Sequence, residues 1–311
     1  MNKQTVVYIV GDERVYFPSL VAFSSLEQHN PGRFDLKLIT YSDKLRRDQH
    51  EALHSVGVDL VNITDLPASI IDNTPPMWTN SGHATRWPTE MLINWAMPEY
   101  FAADYEQAIK LDYDVLCIAP IDELVNALID GVAFAAKPTR TLPHRISDEH
   151  AADFEQATGY AIPDDLAIQS GIVAFNTQLT SALDFFKQYT TIYNALFQRD
   201  PNIFLLDQVA LAILFHNHRE HFSAQHERIN AYSTRTPGAC LIHYWSRSKP
   251  WNMTPSVMLK RVRRGKIPRI LCSQLWLNHA KDLPGFGAFS EARPWLSDRM
   301  ARKLLTLLPY G

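Results

Sequence analysis

Thr5-Val6-Val7-Tyr8-Ile9-Val10-Gly11-Asp12-Glu13 is a compact run rich in β-branched and apolar residues that closes on a glycine and two acids. It reads as a buried parallel strand ending in a loop. Downstream, Leu20, Val21, Phe23 and Leu26 recur at helical spacing until His29-Asn30-Pro31-Gly32 stops the pattern. Residues 34–41 then predict a second strand, 44–56 a second helix and 58–63 a third strand. Strand–helix alternation of this kind implies a doubly wound sheet with right-handed crossovers, and such sheets bind ligands beyond the carboxyl ends of their strands. Further on, 72–89 reads as a loop rich in turn formers and aromatics, 90–101 as a helix and 107–118 as a strand. Residues 132–136 and 171–176 predict two more strands, and 179–197 and 206–216 two more helices. The expected class is α/β: a mixed, mainly parallel Rossmann-like sheet flanked by helices, with a basic helical C-terminal segment. A soft boundary near Trp251, where the charge shifts and Pro255, Gly265 and Pro268 break the periodicity, separates 1–251 from 252–311, a basic and amphipathic part.

The 311 residues are 46% apolar and 20% charged, ordinary for a globular chain and wrong for a disordered one. A net charge of −3 argues against a polycationic nucleic-acid binder. Between Arg228 and Lys281, however, lie eleven Lys/Arg and no Asp or Glu. An acidic body with such a stretch points to an anionic partner. Cys117, Cys240 and Cys272 are odd in number and form no C-x-x-C pair, which argues against a disulfide framework and for a reducing compartment. The five apolar residues Val6 to Val10 are too few for a signal-peptide core, and no stretch approaches the roughly 20 residues of a membrane span. The expected location is the cytoplasm, peripheral on the inner face of the cell membrane.

Chemistry concentrates in two places. In Lys110-Leu111-Asp112-Tyr113-Asp114-Val115-Leu116-Cys117-Ile118, carboxylates at i and i+2 of an extended segment point the same way inside an apolar run. Burying two such ions costs several kcal/mol each unless something compensates, and a hard divalent cation is one answer. A strand end whose aspartates reach solvent is the other. In Leu241-Ile242-His243-Tyr244-Trp245-Ser246-Arg247-Ser248-Lys249-Pro250-Trp251, His243 could ligate a metal and Lys249 a phosphate, although each residue alone also reads as packing or surface.

Taken together, these segments resemble glycosyltransferase family 8, retaining enzymes of the GT-A fold that use nucleotide-sugar donors. The pieces occur in family order: 7–12 with Tyr16 and Ser24-Ser25-Leu26, then 111–114, Ser170 to Asn176, Leu206-Asp207-Gln208 and His243 to Trp251. The resemblance implies that Asp112, Asp114 and His243 hold Mn²⁺, with Mg²⁺ as the alternative. It implies that Lys249 reaches the diphosphate, Asp12 bonds the nucleobase and Tyr16 stacks on it, while Asp207 and Gln208 form the pair on the sugar's reacting face. Asp112, Gln169, Ser246 and Arg86 complete the expected nucleotide-sugar contacts. Gln169-Ser170-Gly171 stands where the family has Asn-Ser/Ala-Gly, and Ser246 replaces a glycine. Arg86 is the nearest candidate for the basic residue the family carries some way before its D-x-D, although it lies farther upstream than usual, and Asn94 stands at the position before Met97-Pro98. Retention by front-face attack is expected, since an amide such as Gln208 is a poor nucleophile.

The expected partners are a UDP-sugar, a glycan or lipid-linked acceptor, and an anionic membrane surface met through 260–277, with no nucleic acid. Trp78, Trp87 and Trp95 are candidates for stacking on an acceptor or for the core. Asp164-Asp165 reads as a helix start, and His216, His218, His221 and His226 as a polar helix end rather than a zinc cluster. The competing functions are a nucleotidyltransferase, which lacks its glycine-rich basic loop here, and a non-catalytic binder of anionic polymers.

Overall fold

A computed structural model describes residues 4–72, 90–128, 131–139, 148–163, 167–200, 203, 205–245 and 249–293. Among the described residues nine strands form two sheets: β1 (Thr5–Val10), β2 (Asp35–Thr40), β3 (Val58–Asn62), β4 (Gln107–Leu111), β5 (Val115–Cys117), β6 (Phe134–Thr139), β7 (Ala167–Asn176), β8 (Phe222–Ala224) and β9 (Leu241–His243). The main sheet runs β3-β2-β1-β4-β7-β6-β8, and β5 and β9 make a separate antiparallel pair. The β1–β2, β2–β3, β1–β4 and β6–β8 pairs are parallel, while β7 runs antiparallel to both neighbours. The mainly parallel α/β class expected from the sequence is the one observed.

All six residues of β1 are buried. Their alternation sends Val7 and Ile9 to one face and Val6, Tyr8 and Val10 to the other. On the first face, Leu36, Leu38, Ile109 and Ile172 meet helix α1 (Tyr16–His29) through Phe17, Leu20 and Phe23. On the second, Val173 and Phe175 meet Phe185 of helix α2 (Phe185–Arg199) and Phe215 of helix α3 (Leu206–Asn217). Each aromatic so buried contributes about 1.5–3 kcal/mol.

Three elements differ from the sequence reading. Residues 107–118 do not make one strand: the chain turns at Tyr113–Asp114, and β5 leaves the main sheet to pair with β9. Residues 179–197 break at Asp184, whose φ of 49° ends the short helix Thr177–Ala182 and starts α2. Aspartate accepts this left-handed conformation more readily than most residues. Residues 90–101 split into Glu90–Ile93 and Met97–Tyr100, with Pro98 in the first turn of the second, where a missing N–H costs nothing.

Beyond Trp251, helices α4 (Pro255–Arg263) and α5 (Ile267–Ala280) follow. Trp276 is fully buried, 5.0 Å from the Trp251 ring and 6.3 Å from that of Phe17, so α5 shares the α1 face of the core. No helix among the described residues is long and apolar enough to cross a membrane.

Candidate active site

The β4–β5 corner carries the chemistry. β4 ends at Leu111, and the Asp112 amide donates to the Gly171 carbonyl on β7 at 2.7 Å. Asp114 then precedes β5, whose Val115 pairs with His243 of β9. His243 Nε2 consequently lies 3.3 Å from Asp112 Oδ2 and 3.3 Å from Asp114 Oδ1. One donor atom from each of the three side chains falls within a 4.8 Å cluster. Two carboxylates and one imidazole are a hard donor set that fits Mn²⁺ or Mg²⁺ and leaves coordination positions for a ligand. Among the described residues no other group of three His, Cys, Asp or Glu side chains is so arranged.

Cations balance the buried carboxylates. Burial alone would raise the Asp114 pKa, but Lys249 and His243 outweigh it and hold that carboxyl far below its ordinary value. Lys249 Nζ bonds Asp114 Oδ2 and also donates to the Tyr244 carbonyl at 3.0 Å. Lys110, almost wholly buried, bonds Asp112 and donates to the Ser170 carbonyl at 2.7 Å. With Lys110 and His243 beside it, Asp112 also sits below its usual value despite burial. Burial would depress His243, yet the flanking carboxylates lift its pKa to about 9. Its Nδ1 faces Asn230 Oδ1 at 3.2 Å, a partner that keeps Nε2 turned toward the aspartates.

Gly171 makes room for that ring. A Cβ at this position would stand 2.0 Å from His243 Cε1 and 2.6 Å from Nδ1. The glycine of Gln169-Ser170-Gly171 is therefore required by close approach and not by an unusual φ.

Asp207 and Gln208 occupy the first turn of α3, which starts from Leu205 in the left-handed region at φ 54°. Burial lifts the Asp207 pKa to about 6, with Lys110 and the Gln208 amide opposing and Asp112 adding to the rise. A carboxyl whose pKa in the folded protein exceeds its ordinary value of 3.8 weakens the fold when ionised. That penalty is absent below about pH 4, grows as pH rises through 6, and is complete above about pH 7. Asp207→Asn should therefore stabilise the protein by about 3 kcal/mol at pH 8 and leave it unchanged at pH 3.5, read by urea unfolding. Equal stability of the two proteins at pH 8 would contradict the burial argument.

The other expected contacts are more scattered. Asp12, nearly buried, accepts from the Arg14 amide at 2.9 Å and from Arg14 Nε at 2.7 Å. Tyr16 is buried on α1, its ring 6.1 Å from that of Phe17 and its hydroxyl against Gly285. Burial, with Asp48 nearby, pushes its pKa up to about 12. Gln169 donates to the Tyr232 hydroxyl at 3.2 Å. Arg86, Ser246, Trp78, Trp87, Asp164 and Asp165 lie outside the described residues. Trp95 is buried in the core, 5.3 Å from Lys110 Nζ. His218 bonds Gln188 at 2.8 Å and His221 the Gly131 carbonyl at 2.9 Å.

The sequence reading missed Lys110 and Asn230 as members of the site. A lysine inside an apolar strand was the available signal for the first. Asn230 carried none, since only the fold brings it to His243.

A family model described as glycosyl transferase family 8 matches residues 6–254. No curated protein matches the sequence. Among solved structures, the apo form of the bifunctional glycosyltransferase WbbM superposes with a TM-score of 0.62 at 14% identity, covering 94% of this chain and 52% of that one. The chain thus spans about half the length of WbbM. The galactosyltransferase LgtC, solved with donor and acceptor sugar analogues, gives 0.60 at 15% identity over 90% of this chain and 96% of LgtC. GlyE of Streptococcus pneumoniae TIGR4 gives 0.55 at 15% identity, covering 98% of this chain and 64% of GlyE. At such identities the likeness is one of fold.

Proposed function

The chain belongs to glycosyl transferase family 8 and is a glycosyltransferase, and on that premise we propose that it moves a hexose from a UDP-sugar to a glycan or lipid-linked glycan, with metal dependence and an α-linkage. The observation that carries the reading is the Asp112–Asp114–His243 cluster with Lys249 beside it. Family membership separates the chain from the nucleotidyltransferase and polymer-binding alternatives.

Asp112, Asp114 and His243 would hold Mn²⁺, or Mg²⁺ in its place, and the ion would supply Lewis-acid neutralisation of the donor's diphosphate. Lys249 contributes a compact positive charge to the same group. Asp12 is assigned to the nucleobase and Tyr16 to stacking on it, while Gln169, Arg86 and Ser246 are assigned to the nucleotide-sugar. Lys110 fixes Asp112 from below, and Asn230 fixes His243. Gln208 stabilises oxocarbenium character as the acceptor hydroxyl enters beside the leaving phosphate, which takes its proton; Asp207 shares that face. A hexosyl group trapped covalently on Gln208 or Asp207 and seen by mass spectrometry would contradict front-face attack. The whole reading is tested by Mn²⁺-dependent release of UDP from a panel of UDP-sugars, because transfer to water needs no known acceptor.

An anionic membrane surface remains the proposed partner of 260–277, with the protein peripheral on the cytoplasmic face. Leu271 and Trp276 are buried, so the apolar side chains left to a bilayer are Leu259 and Val262 of α4, 52% and 41% exposed. Exposed Lys260, Arg263, Arg264 and Lys266 surround them. Basic groups near an anionic surface are worth about 1 kcal/mol each. Vesicles containing anionic lipid should retain the protein and lose it on joint substitution Arg263→Gln and Arg264→Gln, and equal retention would remove this part of the proposal.

A further inference from the structure

β6 loses register with β7 at one point: Ala136 pairs with Val173 and Pro138 with Ile168, so the ladder is broken at Lys137. Breaks of this kind re-aim a side chain. The lysine is buried, and its Nζ donates to the Asn230 carbonyl at 3.1 Å. The Tyr232 ring lies 4.3 Å from the same nitrogen, and its hydroxyl accepts from Gln169, which lies in the stretch of β7 opposite the break. Burial pushes the Lys137 pKa below its ordinary value, with the charge of Glu227 opposing. A buried ammonium weakens the fold unless its bonds compensate, so packing alone gives no reason for a lysine here.

The residue that Lys137 holds is the one that faces His243. Asn230 ends the short helix Glu227–Asn230, where a terminal carbonyl has no partner within the helix and favours a cation. It is fully buried and presents Oδ1 to His243 Nδ1 at 3.2 Å. Its Nδ2 has no hydrogen-bond partner among the described residues, so the side chain takes its direction from the main chain that carries it. Next along, the Ala231 amide donates to the Leu241 carbonyl at 2.9 Å, and the Ala231 carbonyl accepts from the His243 amide at 2.9 Å. Residues 230–232 thus form a strap, tied to β9 by backbone bonds and to β6 by Lys137. The partner of an imidazole's second nitrogen sets the direction in which the first one points. What fixes Asn230 therefore also aims His243 Nε2.

We infer that Lys137 is a positioning residue of the metal centre: from the break in β6 it pins the main chain at Asn230 and so holds the His243 imidazole toward Asp112 and Asp114. The inference rests on the metal reading above and adds to it a residue that acts through Asn230.

Manganese titration followed by electron paramagnetic resonance, with a thermal melt of each preparation, tests it without turnover. Lys137→Met should bind Mn²⁺ about tenfold more weakly than the wild-type protein, the loss expected of an orienting partner. Its melting temperature should stay level or rise, because an apolar chain of similar volume replaces a buried charge. Lys137→Gln, which keeps a donor for the carbonyl, should fall between the two in affinity, and it carries the test if Lys137→Met does not fold. Asn230→Ala should itself weaken binding by about tenfold, and adding Lys137→Met to it should cost less than about threefold more. Full additivity of the two changes would give Lys137 a route other than Asn230 and overturn the inference. A loss of affinity that only accompanies a large fall in melting temperature would overturn it too, by reducing Lys137 to a structural residue. Wild-type affinity in Lys137→Met would overturn this inference and leave the metal reading standing, whereas a wild-type protein that binds no Mn²⁺ would overturn both.

Discussion

Asp114→Asn is expected to lower Mn²⁺-dependent UDP release by about 10³-fold or more, equivalent to about 4 kcal/mol. The side chain is 3% exposed, with one oxygen toward His243 and the other bonded to Lys249. Asparagine keeps the shape and removes the charge. Buried His243 and partly buried Lys249 then lose their shared counter-ion, and breaking such a group typically costs about 3–5 kcal/mol of stability. Activity and stability must therefore be read separately, from turnover and from a thermal melt of the same preparation. Asp112→Asn provides the contrast, because the Asp112 side chain is 26% exposed and its charge is partly solvated, and Lys110 keeps its bond to the Ser170 carbonyl. Both variants should lose turnover, and Asp114→Asn should lose more stability. A folded Asp114→Asn protein within tenfold of wild-type turnover would remove Asp114 from the metal centre.

Gly171→Ala should be the most damaging single-methyl change in the site. The added carbon would stand 2.0 Å from His243 Cε1, a distance no side chain tolerates. His243 has little room to yield, because its Nε2 is fixed between two aspartates and its Nδ1 by Asn230. Overpacking of this kind costs about 3 kcal/mol when the structure absorbs it. If the imidazole swings away instead, the metal loses a ligand. Either route should lower Mn²⁺ affinity by about 100-fold, comparable to the loss of an orienting partner. Manganese titration followed by electron paramagnetic resonance reads this directly. Unchanged affinity in Gly171→Ala would place His243 outside the metal site.

The first half of the sheet was legible because its signals are local. Apolar runs ended by turn formers located β1 to β3 within a residue or two. The β4–β5 corner was not legible, since β5 leaves the main sheet only to satisfy a pairing with β9 far along the chain. Sequence patterning therefore carried Asp112 and Asp114 onto one strand, where the structure has a turn. The aspartates and His243 were nevertheless named as partners from the family resemblance, and the fold brings them together. Lys110 is the instructive omission. A lysine between Ile109 and Leu111 reads as an edge or surface residue, and its burial makes sense only once Ser170 of β7 and Asp112 supply its bonds. Leu271 and Trp276 follow a basic run, and α5 places both in the core shared with α1.

The most direct test of the central claim is UDP release by the wild-type protein from a panel of UDP-hexoses, with Mn²⁺ and with a chelator. The account predicts steady release from at least one sugar with Mn²⁺, lost on chelation and restored by adding the ion back. Failure of UDP to bind in the presence of Mn²⁺, together with no release across the panel, would contradict it.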